Sequence, residues 1–262
     1  MPTRGWPLGS FVLALALLPC AASAAPPVKG GAAPKRDAAV AEAKPDAGAA
    51  DAKPADAGAP DGTSAGRDEL AQVLQKLAGV EALSARFREE KRMALLAAPL
   101  ASEGTLHYQR PRMLVRQTDK PRKATLLLAD DVLTFGDAQH KESVALSSQP
   151  SLRMLVDTFV SVLAGDLPAL ERAATLRVAR VQGAEPGKSG GFRLTMVPRD
   201  EKMRRLVQTM IFDGALTKEG ATLSRMELVD ANGDTTVTTF SDVKFRKAFS
   251  EAERARLFRM GN

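Results

Sequence analysis

Gly104–Pro121, reading GTLHYQRPRMLVRQTDKP, is the stretch that decides the fold of this chain. Two short runs of β-prone residues flank an Arg110-Pro111 corner, and Pro121 ends the second run. Alternation puts Leu106 and Tyr108 on one face of the first strand, with Thr105, His107 and Gln109 on the other. After the corner, Met113 and Val115 share a face, and Arg112, Leu114 and Arg116 share the opposite one. A hairpin of this kind belongs to a large antiparallel sheet, which must bury its apolar face against a second layer.

Outward from the hairpin the pattern continues as strands. Upstream, Ser84–Met93 (SARFREEKRM) alternates, with Ala85 and Phe87 on one face, and Asp68–Leu77 reads as an opening helix stopped by Gly79. Downstream, Ala124–Leu128 and Val132–Phe135 form strands joined by a turn at Asp130-Asp131. Further strands are expected over Ala174–Val181, Phe192–Val197, Leu206–Phe212, Thr222–Val229 and Thr235–Phe240. Asn232-Gly233 is the tight-turn pair for the last hairpin. Ser250 and Glu253 have the spacing of a capped final helix turn. Strands, a helical insertion and strands again make an antiparallel α+β domain, not a βαβ nucleotide fold.

The inserted helix, Ser151–Ala164 (SLRMLVDTFVSVLA), differs in kind. Leu152, Leu155, Val156, Phe159 and Leu163 make one apolar face, and Met154, Val160 and Val162 extend it around much of the circumference. Such a helix is either enclosed by protein or lines an apolar space. Gly165-Asp166 ends it, and Asp166 caps a second short helix, LPALERA.

The N-terminal third has another character. Arg4, the apolar run Phe11–Leu18 and the small residues Ala22-Ser23-Ala24 form an export signal, residues 1–24, and the run is too short to span a bilayer. Cys20 follows Leu17-Leu18-Pro19, loosely a lipoprotein cleavage site, but Pro19 before the cysteine obstructs that processing. Cleavage after the signal leaves a mature chain without cysteine and therefore without disulfides. Residues 25–66, rich in Ala, Pro, Asp and Lys, cannot bury enough apolar area to offset ordering and read as a disordered linker. A flexible coil of about 40 residues spans roughly 35 Å. The folded domain is then 67–262. Residues 1–66 carry as many basic as acidic side chains, so the net charge of +6 falls on that domain. A basic exported domain either meets anionic headgroups or an acidic partner, or uses the charge only for solubility.

Catalytic chemistry is not legible. The two histidines, His107 and His140, have no second metal ligand at helical or turn spacing, so no metal site or cofactor is expected. No Gly-x-Ser-x-Gly, Walker-type or dinucleotide motif occurs. Glu89-Glu90 and Asp130-Asp131 are adjacent pairs whose members point to opposite faces in extended chain, and they read as solvated charges. His107, on a polar strand face, reads as exposed. With one Tyr and one Trp there are no stacking platforms for nucleic acid. A non-enzymatic protein is expected.

The order of ALSARFREEKR, EGTLHYQRPRMLVRQTDKP and ATLLLADDVLTF, followed by LAGDLPALE, GFRLTMVP and ELVDANGDTTVTTFSDVKF, resembles the periplasmic outer-membrane lipoprotein carrier (LolA-like) family over nearly all of residues 67–262. The resemblance implies an incomplete antiparallel β-barrel, a half-barrel whose helices form a lid over an apolar cavity for acyl chains. Arg110 matches the arginine that bonds lid carbonyls and latches the empty cavity. The lining is expected from Phe87, Leu106 and Tyr108, then Met113 and Val115 after the corner, then Leu126, Leu128 and Phe135. Leu155, Phe159 and Leu163 of the lid helix and Met196, Met210 and Phe212 of the late strands complete it. One position departs from the carriers, whose strand after the corner usually carries an aromatic; here it reads Val115-Arg116-Gln117. The resemblance implies a monomeric periplasmic carrier of lipoprotein or other lipid. It would take its cargo from an inner-membrane donor complex or exporter and pass it to an outer-membrane acceptor. A tethered lipid-sensing or scaffold domain that binds a protein partner is the alternative.

Overall fold

The structure, a computed structural model, describes residues 64–181, 190–216 and 220–260. The expected signal peptide, Cys20 and nearly all of the linker lie outside the described residues. Helix α1 (Ser64–Ala78) opens the described part, ahead of the expected boundary at residue 67. Eleven strands follow among the described residues: β1 (Ala82–Arg92), β2 (Leu100–Gln109), β3 (Met113–Lys120), β4 (Ala124–Ala129), β5 (Val132–Gly136), β6 (Lys141–Ala145), β7 (Ala174–Val181), β8 (Gly191–Pro198), β9 (Val207–Leu216), β10 (Ala221–Asp230) and β11 (Thr235–Arg246). Helices α2 (Pro150–Ala164) and α3 (Leu167–Ala173) interrupt them after β6, α4 (Glu201–Arg204) joins β8 to β9, and α5 (Glu251–Leu257) follows β11.

All strands join one antiparallel sheet in the order β6-β5-β4-β3-β2-β1-β11-β10-β9-β8-β7. Its edges, β6 and β7, do not pair, so the sheet stays open and the α+β half-barrel expected from the sequence is the architecture found. β1 closes on β11 at the centre of the sheet, with Phe87 opposite Phe240 and Glu89 opposite Thr238.

One apolar cluster runs along a single face of this sheet and takes in Leu70, Val73, Leu74 and Leu77 of α1 together with most of α2. In α2, Leu152, Leu155, Val156, Thr158, Phe159, Val160, Val162 and Leu163 are all buried. The helix lies between the sheet and α1, α3 and α4, which explains apolar residues around most of its girth. Gly165 ends it with φ 64°, and a Cβ there would lie 2.1 Å from the Leu74 carbonyl oxygen. Only glycine satisfies both the left-handed backbone and the close crossing of α1.

The corner hairpin corrects one expectation. Three residues, Arg110-Pro111-Arg112, connect β2 to β3, so Gln109 pairs with Met113, His107 with Val115, Tyr108 with Leu114 and Leu106 with Arg116. Directly paired residues share a face. Leu114 and Arg116 therefore stand with Leu106 and Tyr108 on the inner face, whereas Met113 and Val115 fall on the outer face. The alternation within β3 is as read, but its parity across the corner depends on the turn length. Val115 is nonetheless fully buried. On that outer face the segment after β11 packs near it. The Phe249 N–H donates to Gln109 Oε1 at 3.2 Å, Phe249 meets the His107 ring edge-on at 5.9 Å, and Phe258 packs on Phe249. His107 is half-buried, not exposed as expected. Ser250 and Glu253 form the reciprocal capping box of α5.

Candidate functional site

Two small apolar cavities lie between the inner face and α2, and both are walled by Leu106, Phe159 and Phe240. The first is bounded by Leu77 of α1 and Val80 after it, Leu83 and Ala85 of β1, Leu163 of α2 and residues of β10 and β11. The second is bounded by Phe87, Leu114, Leu126 and Met226, with Glu89, Arg116 and Thr238 as its polar wall. The space open to the centre of a water molecule is about 30 Å³ in the first and 20 Å³ in the second. A single water needs roughly 10–15 Å³ on that measure, so an acyl chain enters only if α2 moves away from the sheet.

Arg110 ties the C-terminal ends of α1 and α2 together. Its Nε donates to the Val80 carbonyl at 2.9 Å, and its Nη2 donates to the carbonyls of Ala78 at 2.7 Å and Ala164 at 2.8 Å. Ala78 and Ala164 are the last residues of α1 and α2, so one guanidinium serves two helix C-termini whose carbonyls lack intrahelical donors and carry partial negative charge. The planar fork of arginine can reach three acceptors at once, which a lysine could not match in geometry.

Arg112 makes a second tie. Its Nη1 lies 2.5 Å from Asp157 Oδ1 on α2, and its Nε donates to the Asp130 carbonyl at 2.8 Å. Arg153, one helical turn before Asp157, bonds the same carboxylate at 3.5 Å and reaches Asp131 at 3.8 Å. The turn at Asp130-Asp131 is thereby joined to the middle of α2. Arg112 and Asp157 had no role legible in the sequence, because their meeting depends on how α2 lies against the sheet.

The expected lining residues divide into three groups. Phe87, Leu106, Leu126, Phe159 and Leu163 line one or both cavities. Tyr108, Leu128, Leu155, Met196, Met210 and Phe212 are buried in the continuous core around them, and Phe135 packs against that core. Met113 and Val115 are on the outer face and line neither cavity, for the parity reason given above. The Tyr108 hydroxyl is buried without a hydrogen-bond partner among the described residues, and burial raises its pKa.

The polar wall was not anticipated. Glu89 is 3% exposed, although the sequence reads it as solvated; its neighbour Glu90 points away and faces Arg88 at 3.7 Å. Arg116 Nη2 donates to Glu89 Oε1 at 2.9 Å and to Ser102 Oγ at 3.2 Å, and Thr238 Oγ1 donates to Glu89 Oε2 at 3.0 Å. The Arg116 guanidinium also lies 4.3 Å above the centre of the Phe87 ring. On β2, between Ser102 and Leu106, the inner face carries only Gly104, where a Cβ would lie 1.9 Å from the Gln117 carbonyl oxygen of β3. The signal in the sequence was the charged residue at alternating spacing after Phe87, which reads equally well as a solvated position.

No group of three or more metal-ligating side chains is placed to hold an ion among the described residues, and no helix there is long and apolar enough to cross a membrane.

Residues 62–256 match the family model described as outer membrane lipoprotein carrier protein LolA-like. The chain belongs to this family. No curated protein matches it. Among solved structures it is similar to a DUF1329 family protein from Desulfovibrio piger at 13% identity, covering 74% of this chain and 98% of that one with a TM-score of 0.44. A LolA superfamily protein from Nitrosomonas europaea is similar at 12% identity, 69% and 95% coverage and a TM-score of 0.36. The lipoprotein LppX of Mycobacterium tuberculosis is similar at 11% identity, 71% and 97% coverage and a TM-score of 0.43. In this fold α2 lines both cavities through Phe159 and the first also through Leu163, and the Arg-Pro corner touches the first through the Arg110 bond to the Val80 carbonyl.

Proposed function

We propose that the protein is an exported, periplasmic carrier that shields the acyl chains of a lipoprotein or another lipid in the space between the inner face and α2, and ferries them from the inner to the outer membrane. The observation that carries this reading is the combination of the apolar cavities under α2 with Arg110, which bonds the carbonyl of Val80, a lining residue of the first cavity. The apolar space is small, and Arg110 holds the ends of α1 and α2 through backbone carbonyls. Bonds of that kind exchange readily for water. Lifting α2 costs those bonds plus the exposure of its inner residues, and each methylene of an entering chain returns about 0.8 kcal/mol. Family membership and the signal-like N-terminus support an extracytoplasmic location.

The test is native mass spectrometry of the gently purified full chain, with lipid extraction, together with uptake of a neutral fluorescent acyl ester. The expected result is a lipid-bound species and saturable uptake. Absence of both would remove the carrier reading.

A further inference from the structure

The inner face changes from apolar to polar along four neighbouring strands: Glu89 of β1 stands opposite Ser102 of β2 and Thr238 of β11, and Arg116 of β3, opposite Leu106, reaches Glu89 with its long side chain. On β1 Phe87 is followed inward by Glu89 and Lys91, and on β11 Phe240 is followed by Thr238 and Thr236. On β3 Leu114 gives way to Arg116, and on β2 Leu106 gives way, past Gly104, to Ser102. Glu89, Lys91, Arg116, Thr236 and Thr238 are all buried. The apolar half borders the Arg110 end, and the polar half closes the second cavity.

A buried ion pair is a poor device for stability alone, because well-packed apolar residues of similar volume often do as well or better. Here Glu89 and Arg116 line an apolar cavity, at the level where an acyl chain lying along Leu106, Phe159 and Phe240 would meet a polar group. The pair offers one positive and one negative partner and no net charge. Lys91, behind it, is balanced by Asp230 and Asp234, and burial pulls its pKa down against their attraction.

Building on the carrier reading, we propose that this polar wall holds the head of a zwitterionic phospholipid, its phosphate beside Arg116 and its ammonium beside Glu89. Entry of such a head exchanges the Glu89–Arg116 pair for two pairs with the lipid. A net-anionic head would satisfy Arg116 but leave the Glu89 carboxylate beside a like charge in a dry site, where such juxtapositions cost heavily.

The test measures binding of short-chain phosphatidylethanolamine and phosphatidylglycerol with identical acyl chains to the full-length protein, its Glu89→Gln variant and its Arg116→Gln variant. The wild type is expected to prefer the ethanolamine lipid by about tenfold. Glu89→Gln, which removes the carboxylate that repels an anionic head, should invert the preference, and Arg116→Gln should widen it. Equal affinity of the wild type for both lipids overturns the proposal and leaves the carrier reading intact, and so does an unchanged ratio in a folded Glu89→Gln protein. The wild-type comparison stands even if a variant fails to fold. Failure to bind either lipid, or the neutral acyl ester, would overturn both.

Discussion

Arg110 concentrates the consequences of one residue. Its three hydrogen bonds end on carbonyls of α1, of the turn after it and of α2. Hydrogen bonds to a charged group contribute about 1.5–3 kcal/mol each, so Arg110→Leu should weaken the closed arrangement by several kcal/mol at most. The leucine cannot donate to any of the three acceptors. The expected outcome is slower loss of a bound fluorescent acyl ester than in the wild type, since closure no longer competes with cargo, and stopped-flow transfer to acceptor vesicles would measure it. Unchanged release would reduce Arg110 to a structural tie between helices. Arg110 was readable in the sequence only through the family resemblance of its Arg-Pro corner, since an arginine in a turn by itself reads as a surface residue. Glu89 and Arg116 were not readable in the same way. A charge at alternating spacing looks identical whether its strand face meets solvent or a cavity, and only the register across β1, β2, β3 and β11 distinguishes them.

At the level of elements, α2 was legible because its apolar residues surround it, β1 to β3 were legible from alternation, and β4 and β5 from a short apolar run and its answer across the Asp130-Asp131 turn. β6 (Lys141–Ala145) was missed: four of its five residues are exposed, so no apolar period marks it. The parity of β3 was missed because a three-residue turn, not the strand's own pattern, fixes which face meets the core. The outer face of β2 and β3 is covered by the segment around α5, and this contact makes a pH-dependent prediction. Burial, reinforced by the charges of Arg246 and Arg256, lowers the His107 pKa below the ordinary imidazole value. As pH falls below about 6.5 the unfolded chain takes up the proton first, so the stability contributed by neutral His107 is present above that pH and is lost as pH falls toward the folded-state value. Thermal midpoints of the wild type should therefore drop more between about pH 7 and pH 5 than those of His107→Gln. The glutamine has no such proton equilibrium. Parallel pH profiles of the two proteins would contradict this account of the α5 contact.

For the whole molecule, an open sheet of eleven strands has α1 and α2 packed on its inner face, with small apolar spaces left beneath α2. The order of strands and the helical insertion conveyed this architecture from the sequence. The division of the inner face into apolar and polar halves was not conveyed, because it arises only when strands distant in sequence, β1 and β11, lie side by side. The outside offers a competing apolar feature: Leu95 is 92% exposed and Leu96 44% exposed in the connection between β1 and β2. The central claim, that acyl chains occupy the space under α2, is tested most directly by photolabelling the full chain with a lipid bearing a diazirine in its acyl chain and mapping the adducts by mass spectrometry. The account predicts adducts on Leu106, Phe159 and Phe240, lost in the presence of excess unlabelled lipid. Adducts confined to Leu95, Leu96 or the outer face would contradict it.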